Sequence, residues 1–127
     1  MCRRDIVKKL SDAEWTIMEI LWKKEKCGLK EIVDECYPLM KWTRNTVHTY
    51  LTRMEKKELV CIDRSNDIHF YSSNIKKEDC VKEEMNRLLN QIYQGSVSDL
   101  VTAFLKESKI SKEEKERLSK LLDEMEV

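Results

Sequence analysis

The sequence of 127 residues has only two glycines, one proline and no long apolar run. Sandwiches and barrels need a turn about every ten residues, and glycine, proline and asparagine supply most of them, so a sheet-rich fold is excluded. No apolar segment approaches the roughly 20 residues of a membrane span. The basic N-terminus lacks the apolar stretch of a signal peptide. We therefore expect a mainly helical, cytoplasmic protein that does not bind membranes.

Motifs for catalysis and metal binding are also missing. The five cysteines are widely spaced, without a CxxC, CxC or Cys/His cluster, so no metal site is predicted. We interpret Cys36 and Cys61 as core thiols and Cys2 as the thiol most open to oxidation. No phosphate-binding loop, nucleophile elbow or HExxH motif occurs, and His48 and His69 lack a matching nucleophile. We expect neither a cofactor nor enzymatic activity.

The first half of the chain has the pattern of three amphipathic helices. Ser11–Glu14 is a capping box, and the helix it opens carries Trp15 and Trp22 on its apolar face and should stop near Lys26. A second apolar stripe follows, and Pro38 is expected to close that helix. The third helix has apolar residues at relative positions 0, 3, 4 and 7 from residue 47. These three helices predict a compact helical core.

One β-hairpin follows the third helix. Residues 59–64 and 68–72 are rich in β-branched and aromatic side chains, and a Ser-Asn-Asp turn separates them. Three helices followed by a hairpin is the order of a winged helix-turn-helix, a DNA-binding motif. The predicted fold class is therefore mainly α with one small hairpin.

The polar face of the third helix has the composition of a nucleic-acid interface. It carries hydroxyl, amide, imidazole and cationic groups but no carboxylate, whereas a merely solvated face usually mixes Glu with Lys. The 24 basic and 24 acidic residues cancel overall, yet residues 41–64 hold six basic and three acidic residues. Asn45 and His48 are assigned to bases, and Arg53, Lys56 and Arg64 to phosphates. The predicted DNA-binding residues are Thr43, Arg44, Asn45, Thr46, His48, Thr49, Arg53, Lys56 and Arg64.

The second half of the chain predicts a dimerisation domain. Residues 76–127 form three short amphipathic helices, which make too small a core to fold alone, while residues 1–75 form the DNA-binding domain. A two-fold dimer covers the apolar stripes most simply, and folding back on the first domain is the alternative. The predicted dimerisation residues are Leu88, Ile92, Val97, Leu100, Val101, Phe104, Leu118, Leu121 and Leu122.

Four segments together resemble a known family. They are the opening Leu10–Trp15, the recognition-helix segment 42–54 with its Trp-Thr-x-x-Thr-Val-x-Thr core, the wing end Phe70–Ser72, and the Leu-Val-x-x-Phe segment Leu100–Phe104. They resemble the penicillinase-repressor (BlaI/MecI/CopY) family of bacterial transcriptional repressors over about residues 8–126. The resemblance implies a homodimer that binds a palindromic double-stranded operator and controls β-lactam or cell-wall-stress response genes, hence antibiotic resistance.

The resemblance also bears on control. In the β-lactam-responsive branch a sensor-triggered protease cuts the C-terminal domain, and the matching bond here is Ala103–Phe104, with Ala in place of the family's Asn. The Cys-x-Cys motif of the copper-responsive branch is absent. Asn45 and His48 stand where the β-lactam repressors carry cations, so the operator bases differ. A helical protein–protein interaction module without DNA binding stays open as the alternative function.

Overall fold

The computed structural model describes residues 9–126. Helices dominate this range, and a small antiparallel sheet accompanies them, so the predicted mainly helical class is confirmed. The elements are α1 (Asp12–Lys24), β1 (Lys26–Gly28), α2 (Leu29–Met40), α3 (Arg44–Lys56), β2 (Val60–Asp63), β3 (Phe70–Ser73), α4 (Lys77–Ile92), α5 (Val97–Glu107) and α6 (Lys112–Glu124).

Side-chain caps set the first residue of α1 and of α3. The Ser11 hydroxyl accepts from the Glu14 amide at 3.2 Å, and the Glu14 carboxylate accepts from the Ser11 amide at 2.9 Å. This reciprocal pair satisfies two amides that a helix start leaves without partners, and it confirms the predicted capping box. The Thr43 hydroxyl accepts from the Thr46 amide at 3.2 Å and so caps α3.

The prediction that Pro38 closes the second helix is wrong. Pro38 lies inside α2, which continues to Met40. Proline keeps a helical φ and lacks only its own N–H, so the helix loses one backbone bond and runs on for two residues. The actual end is at Lys41, which is left-handed with φ 54° and whose amide donates to the Tyr37 carbonyl at 2.8 Å.

The sheet has a strand that the sequence pattern did not predict. The strand order is β1-β3-β2, and β1 pairs antiparallel with β3 so that Cys27 lies opposite Tyr71. Because β1 begins at Lys26, helix α1 ends at Lys24, two residues before the expected end near Lys26. Glu25, with a φ of 68°, changes the direction of the chain between the two elements. A three-residue strand is too short to show alternation, and its conformation depends on pairing with residues more than 40 positions away.

The structure divides into two compact units, one ending at Glu84 and one beginning at Met85. Unit 1 holds α1–α3, the sheet and the start of α4, and its core is built mainly from one face of each helix. In unit 2, neither α5 nor α6 buries a single residue. The fully buried apolar side chains of the described part all belong to unit 1: Ile17, Met18, Leu21, Cys27, Ile32, Cys36, Val47, Leu51, Met54 and Cys80.

The cysteines divide between core and surface. Cys36 is buried, as predicted, but the prediction for Cys61 is wrong because that side chain is exposed. Cys61 follows the buried Val60 along β2, and successive strand residues face opposite sides of a sheet. Burial raises the pKa of the Cys27 and Cys80 thiols to about 11, which makes both poor nucleophiles. Cys2 lies outside the described residues.

Candidate nucleic-acid interface

Helix α3 places most of the predicted DNA-binding side chains on one exposed face. Val47, Leu51 and Met54 are buried and fix the helix against the core of unit 1. Because side chains follow one another at about 100° around a helix, this anchoring turns the opposite face outward. Thr46 is half-buried on that face; its exposed members are Arg44, Asn45, His48, Thr49, Arg53 and Lys56.

The threonine hydroxyls of α3 bond to the helix itself. The Thr49 hydroxyl donates to the Asn45 carbonyl and the Thr52 hydroxyl to the His48 carbonyl, both at 2.9 Å. The hydroxyl oxygens of Thr43 and Thr46 lie 3.0 Å apart at the helix start. The hydroxyl protons of Thr49 and Thr52 are therefore already used within the helix, and one of the two protons of Thr43 and Thr46 is used between them. The methyl groups of these threonines remain for an outside ligand. The Asn45 amide and the His48 imidazole supply the polar groups at base-reading positions.

The cations of this surface fall into two groups. Within residues 9–126, Arg44, Arg53 and Lys56 form no ion pair with a carboxylate. Arg64 differs, because its two terminal nitrogens each donate at 2.8 Å to a different carboxylate oxygen of Glu55. The three cations of α3 are thus available to phosphates, whereas a phosphate would have to displace Glu55 from Arg64.

The Glu55–Arg64 pair was not foreseen from the sequence. Glu55 lies beside His48 and Thr52 around α3, so a carboxylate borders the face that the pattern described as free of acids. The hydrogen bonds from Arg64 lower the pKa of Glu55 and keep it ionised. A bidentate pair of this geometry holds the two groups in one orientation. It links the last turn of α3 to the wing, by which we mean β2, β3 and the turn between them.

A second network fixes the base of the wing. Asp63 accepts from the Ser65 hydroxyl at 2.6 Å and from the Ser65 amide at 2.9 Å, and its other oxygen accepts from the Lys26 ammonium at 3.2 Å. The bonds from Ser65, and then the one from Lys26, lower the pKa of Asp63 to about 2. The carboxylate therefore stays charged at any physiological pH, and it joins β1, β2 and the wing turn.

An ion pair with a buried carboxylate anchors the residue that follows α3, at the same end of the helix as Glu55. Glu14 is only 5% exposed, and its carboxylate accepts from the Lys57 ammonium at 2.7 Å. Burial alone raises a carboxyl pKa, but the bonds from Lys57 and Ser11 outweigh it, so the pKa of Glu14 is lowered. The sequence identified Glu14 as a cap, yet no local pattern reveals a partner 43 residues away.

A groove of about 740 Å³ runs between the wing, the start of α2 and the first turns of α3. We call it the wing groove. His48 enters it from α3 and His69 from the wing, so both histidines of the chain line the same space. The charged side chains that line it are Lys30, Glu31, Arg44 and Asp67.

Unit 2 presents its apolar side chains to solvent. Of the predicted dimerisation residues, Leu88 and Leu100 are half-buried and the other seven are exposed. Ala103 and Phe104 lie inside α5, where Phe104 is 58% exposed. Four apolar residues that were not predicted to lie in the interface, Met85, Leu105, Ile110 and Met125, are also exposed in unit 2.

Residues 9–126 contain no cluster of three or more His, Cys, Asp or Glu side chains placed to hold a metal ion. No helix in that range combines the length and apolar character needed to cross a bilayer.

Comparison with known proteins gives one consistent result. The family model described as Penicillinase repressor matches residues 10–124. A penicillinase repressor of Staphylococcus aureus is 35% identical over 117 residues, which cover 92% of this chain and 93% of the relative. The methicillin resistance regulatory protein MecI of Staphylococcus aureus is 29% identical, covering 91% of this chain and 94% of that protein. A penicillinase repressor of Bacillus licheniformis is 28% identical, covering 93% and 92%.

Two solved structures of BlaI are similar to part of this chain. The solution structure of the DNA-binding domain of the repressor BlaI is 28% identical, covers 58% of this chain and 93% of that domain, and superposes with a TM-score of 0.51. The Bacillus licheniformis BlaI monomeric form in complex with the blaP half-operator is 27% identical, covers 58% of this chain and 90% of that one, and also has a TM-score of 0.51.

Proposed function

The chain belongs to the penicillinase repressor family and is a DNA-binding transcriptional repressor, and we propose that it acts as a homodimer on an operator with two half-sites. The observation that carries this proposal is the exposed face of α3, which has three cations, one amide and one imidazole and is anchored to the core of unit 1. A helix of this kind fits the major groove of duplex DNA, where base edges present donors and acceptors.

Specific roles follow from position on α3. Asn45 and His48 lie in the N-terminal half of the helix, which in helix-turn-helix proteins reaches the base edges. Asn pairs well with adenine, and an imidazole N–H donates well to guanine. Arg53 and Lys56 lie towards the C-terminal end of the helix, and we assign them to phosphates. The methyl groups of Thr46 and Thr49 contact thymine methyls, and Thr43 and Arg44 add phosphate contacts. Arg64 contacts a phosphate only by exchanging its pair with Glu55.

Dimerisation through unit 2 completes the proposal. Helices α5 and α6 bury no residue in the single chain, although each has a continuous apolar stripe. Monomeric proteins rarely expose so much apolar surface, and a second copy supplies an identical stripe to cover it. The BlaI monomer in the matched complex binds a half-operator, so one unit 1 for each half-site needs two chains for a whole operator.

The regulated genes are proposed from the relatives. Those relatives are named as penicillinase repressors and methicillin resistance regulators, so we place β-lactam or cell-wall-stress response genes under this repressor.

Proteolysis beside Ala103–Phe104 is the proposed release step. That bond lies inside α5, so local opening of the helix must precede cleavage. Intact mass of the chain in cells exposed to a cell-wall antibiotic tests this step: a fragment ending near Ala103 supports it, and persistence of the full-length chain during induction refutes it.

The test of the function starts from DNA that the full-length chain selects from a random-sequence pool. The expected product is an inverted repeat, because a two-fold dimer reads the same half-site twice. Loss of one good base contact costs about 1–3 kcal/mol, so Asn45→Ala and His48→Ala should each weaken binding about 5- to 150-fold for each half-site and change the preferred bases. Unchanged affinity and preference in both variants would refute the assignment.

A control separates DNA reading from a protein-interaction role of the same helix. Arg53→Gln should weaken binding to all duplexes equally and lower the salt dependence by about one ion for each bound chain, because phosphate contacts release counterions. If the wild-type chain binds no duplex at low salt, the protein-interaction alternative is favoured instead.

A further inference from the structure

Arg64 is the only lysine or arginine of the wing, and a carboxylate of α3 already neutralises its charge. Its two terminal nitrogens each donate at 2.8 Å to a different oxygen of Glu55, which lies in the last turn of α3. The other charged residues of the wing, Asp63 and Asp67, are acids. Residues 60–73 therefore offer a phosphate no free lysine or arginine, whereas the neighbouring face of α3 offers three such cations.

The pair lies where an outside anion can compete with it. The Arg64 side chain is 52% exposed and the Glu55 side chain 33% exposed. An exposed ion pair contributes little free energy, because water and salt compete for both partners. A guanidinium donates two parallel hydrogen bonds to a phosphate as readily as to a carboxylate. A DNA phosphate therefore competes with Glu55 for the same two N–H groups.

We propose that Glu55, besides positioning the wing, is an affinity-limiting residue that competes with the DNA phosphates for Arg64. To use Arg64, the complex must break the pair and leave the Glu55 carboxylate unpaired beside a polyanion. A complex that keeps the pair instead gains no phosphate contact from Arg64. In both cases Glu55 lowers the affinity of unit 1 for DNA.

This role rests on the proposed DNA-binding function and concerns affinity rather than base preference. Phosphates are the same in every duplex, so Glu55 should limit binding to the operator and to random-sequence DNA alike. Weaker binding of each half-site also makes stable occupancy of an operator depend more strongly on two linked chains.

Replacement of Glu55 by its uncharged isostere should therefore tighten binding. Glu55→Gln removes the competing charge, and we expect the affinity to rise about two- to fivefold for each half-site, or about 4- to 25-fold for a whole operator. A random-sequence duplex should show a similar gain, and the preferred bases should not change. Fluorescence anisotropy at constant ionic strength measures both affinities. Glu55→Ala, which also removes the carboxylate, should tighten binding in the same direction.

Two controls separate competition for Arg64 from a simple change in net charge. The double variant Glu55→Gln with Arg64→Gln should lose the gain, and its salt dependence should be about one ion per chain lower than that of Glu55→Gln alone. Glu19→Gln removes the same charge from another exposed ion pair, in which Glu19 accepts from Lys77 at 3.2 Å. Because Glu19 lies on α1, outside α3 and the wing, this change should alter operator affinity much less.

Three results would overturn the inference while leaving DNA binding intact. Unchanged or weaker binding by Glu55→Gln and Glu55→Ala would mean that the pair serves only to position the wing. A double variant that binds as tightly as Glu55→Gln would show that Arg64 does not provide the gain. An equal gain in Glu19→Gln would reduce the effect to net charge. Absence of wild-type binding to any duplex would instead contradict the proposed function itself.

Discussion

Three carboxylates of unit 1 accept hydrogen bonds that position α3 and the wing. Asp63 and Glu55 hold the wing at its base, and Glu14 ties the start of α1 to the residue after α3. Each has a lowered pKa. A carboxyl group with a lower pKa in the folded chain stabilises the fold at neutral pH and loses that contribution in acid. The same three carboxylates therefore position the nucleic-acid interface and stabilise the fold of unit 1.

Acid should loosen the wing over a defined range. The pKa of Asp63 falls from its ordinary 3.8 to about 2 on folding, so its contribution is complete above about pH 4 and disappears as the pH drops towards 2. The free energy of unfolding, measured by urea titration from pH 5 to 2, should decrease more steeply in the wild type than in Asp63→Asn. Parallel curves for the two proteins would show that Asp63 has no such link.

The buried Glu14 should matter more for stability than its counterpart in unit 2. Glu14→Gln replaces charge-assisted bonds to Lys57 and Ser11 with weaker ones at a site only 5% exposed, so we expect a loss of about 1–3 kcal/mol. Glu114 closes the same kind of capping box on α6 but is exposed and forms no ion pair within residues 9–126. Glu114→Gln is therefore the matched control and should cost less than about 0.5 kcal/mol. If both variants lose the same free energy of unfolding in urea titration, the ion pair between Glu14 and Lys57 adds no stability of its own.

At the scale of elements, local signals set the helix starts and non-local pairing sets the sheet. The capping residues at 11 and 43 were recognisable because the groups they satisfy are three residues away. The sequence pattern did not predict strand β1, because its partner strand begins more than 40 residues later. The prediction for Cys61 was wrong because Val60 is the buried residue of β2, so the next residue faces the opposite side of the sheet. The Glu55–Arg64 pair was equally invisible, since sequence spacing does not show which side chains a folded wing brings together.

The cap of α3 should affect both the stability of the helix and its affinity for the operator. Thr43→Ala removes the hydroxyl that accepts from the Thr46 amide and should cost about 1 kcal/mol in the free energy of unfolding. The first turn then frays where Arg44 and Asn45 are presented, so operator affinity should fall as well. Thr43→Ser keeps the hydroxyl and should preserve both quantities. If the alanine and serine variants are indistinguishable in urea titration and DNA binding, the cap is not what orders this turn.

At the scale of the molecule, the two units differ in how they bury apolar surface. Unit 1 has a core drawn from every one of its helices, whereas α5 and α6 of unit 2 contribute nothing to any core of the single chain. The sequence pattern predicted the apolar stripes from helical periodicity, but periodicity cannot tell which surface covers them. Exposure of Phe104, Leu121 and Leu122 in the single chain is what supports a second copy as that cover.

Loss of Phe104 should weaken the dimer. Truncation of a large aromatic side chain in a packed interface costs about 2–4 kcal/mol, so Phe104→Ala should raise the dimer dissociation constant about 30-fold or more in sedimentation equilibrium. Thr102 is exposed on α5 away from the apolar stripe, and Thr102→Ala should leave the constant unchanged. Unit 1 of Phe104→Ala should keep its fold, because Phe104 makes no contribution to that core. A wild-type chain that stays monomeric at high concentration would contradict the dimer outright.

Two copies of this chain should together read one operator. Native mass spectrometry of the full-length chain tests this, using the selected duplex with a whole inverted repeat and a duplex holding a single half-site. We expect two chains on the whole repeat, one unit 1 bound to each half, with a much higher affinity than for the half-site duplex. One chain per whole repeat, or equal affinity for the two duplexes, would contradict it.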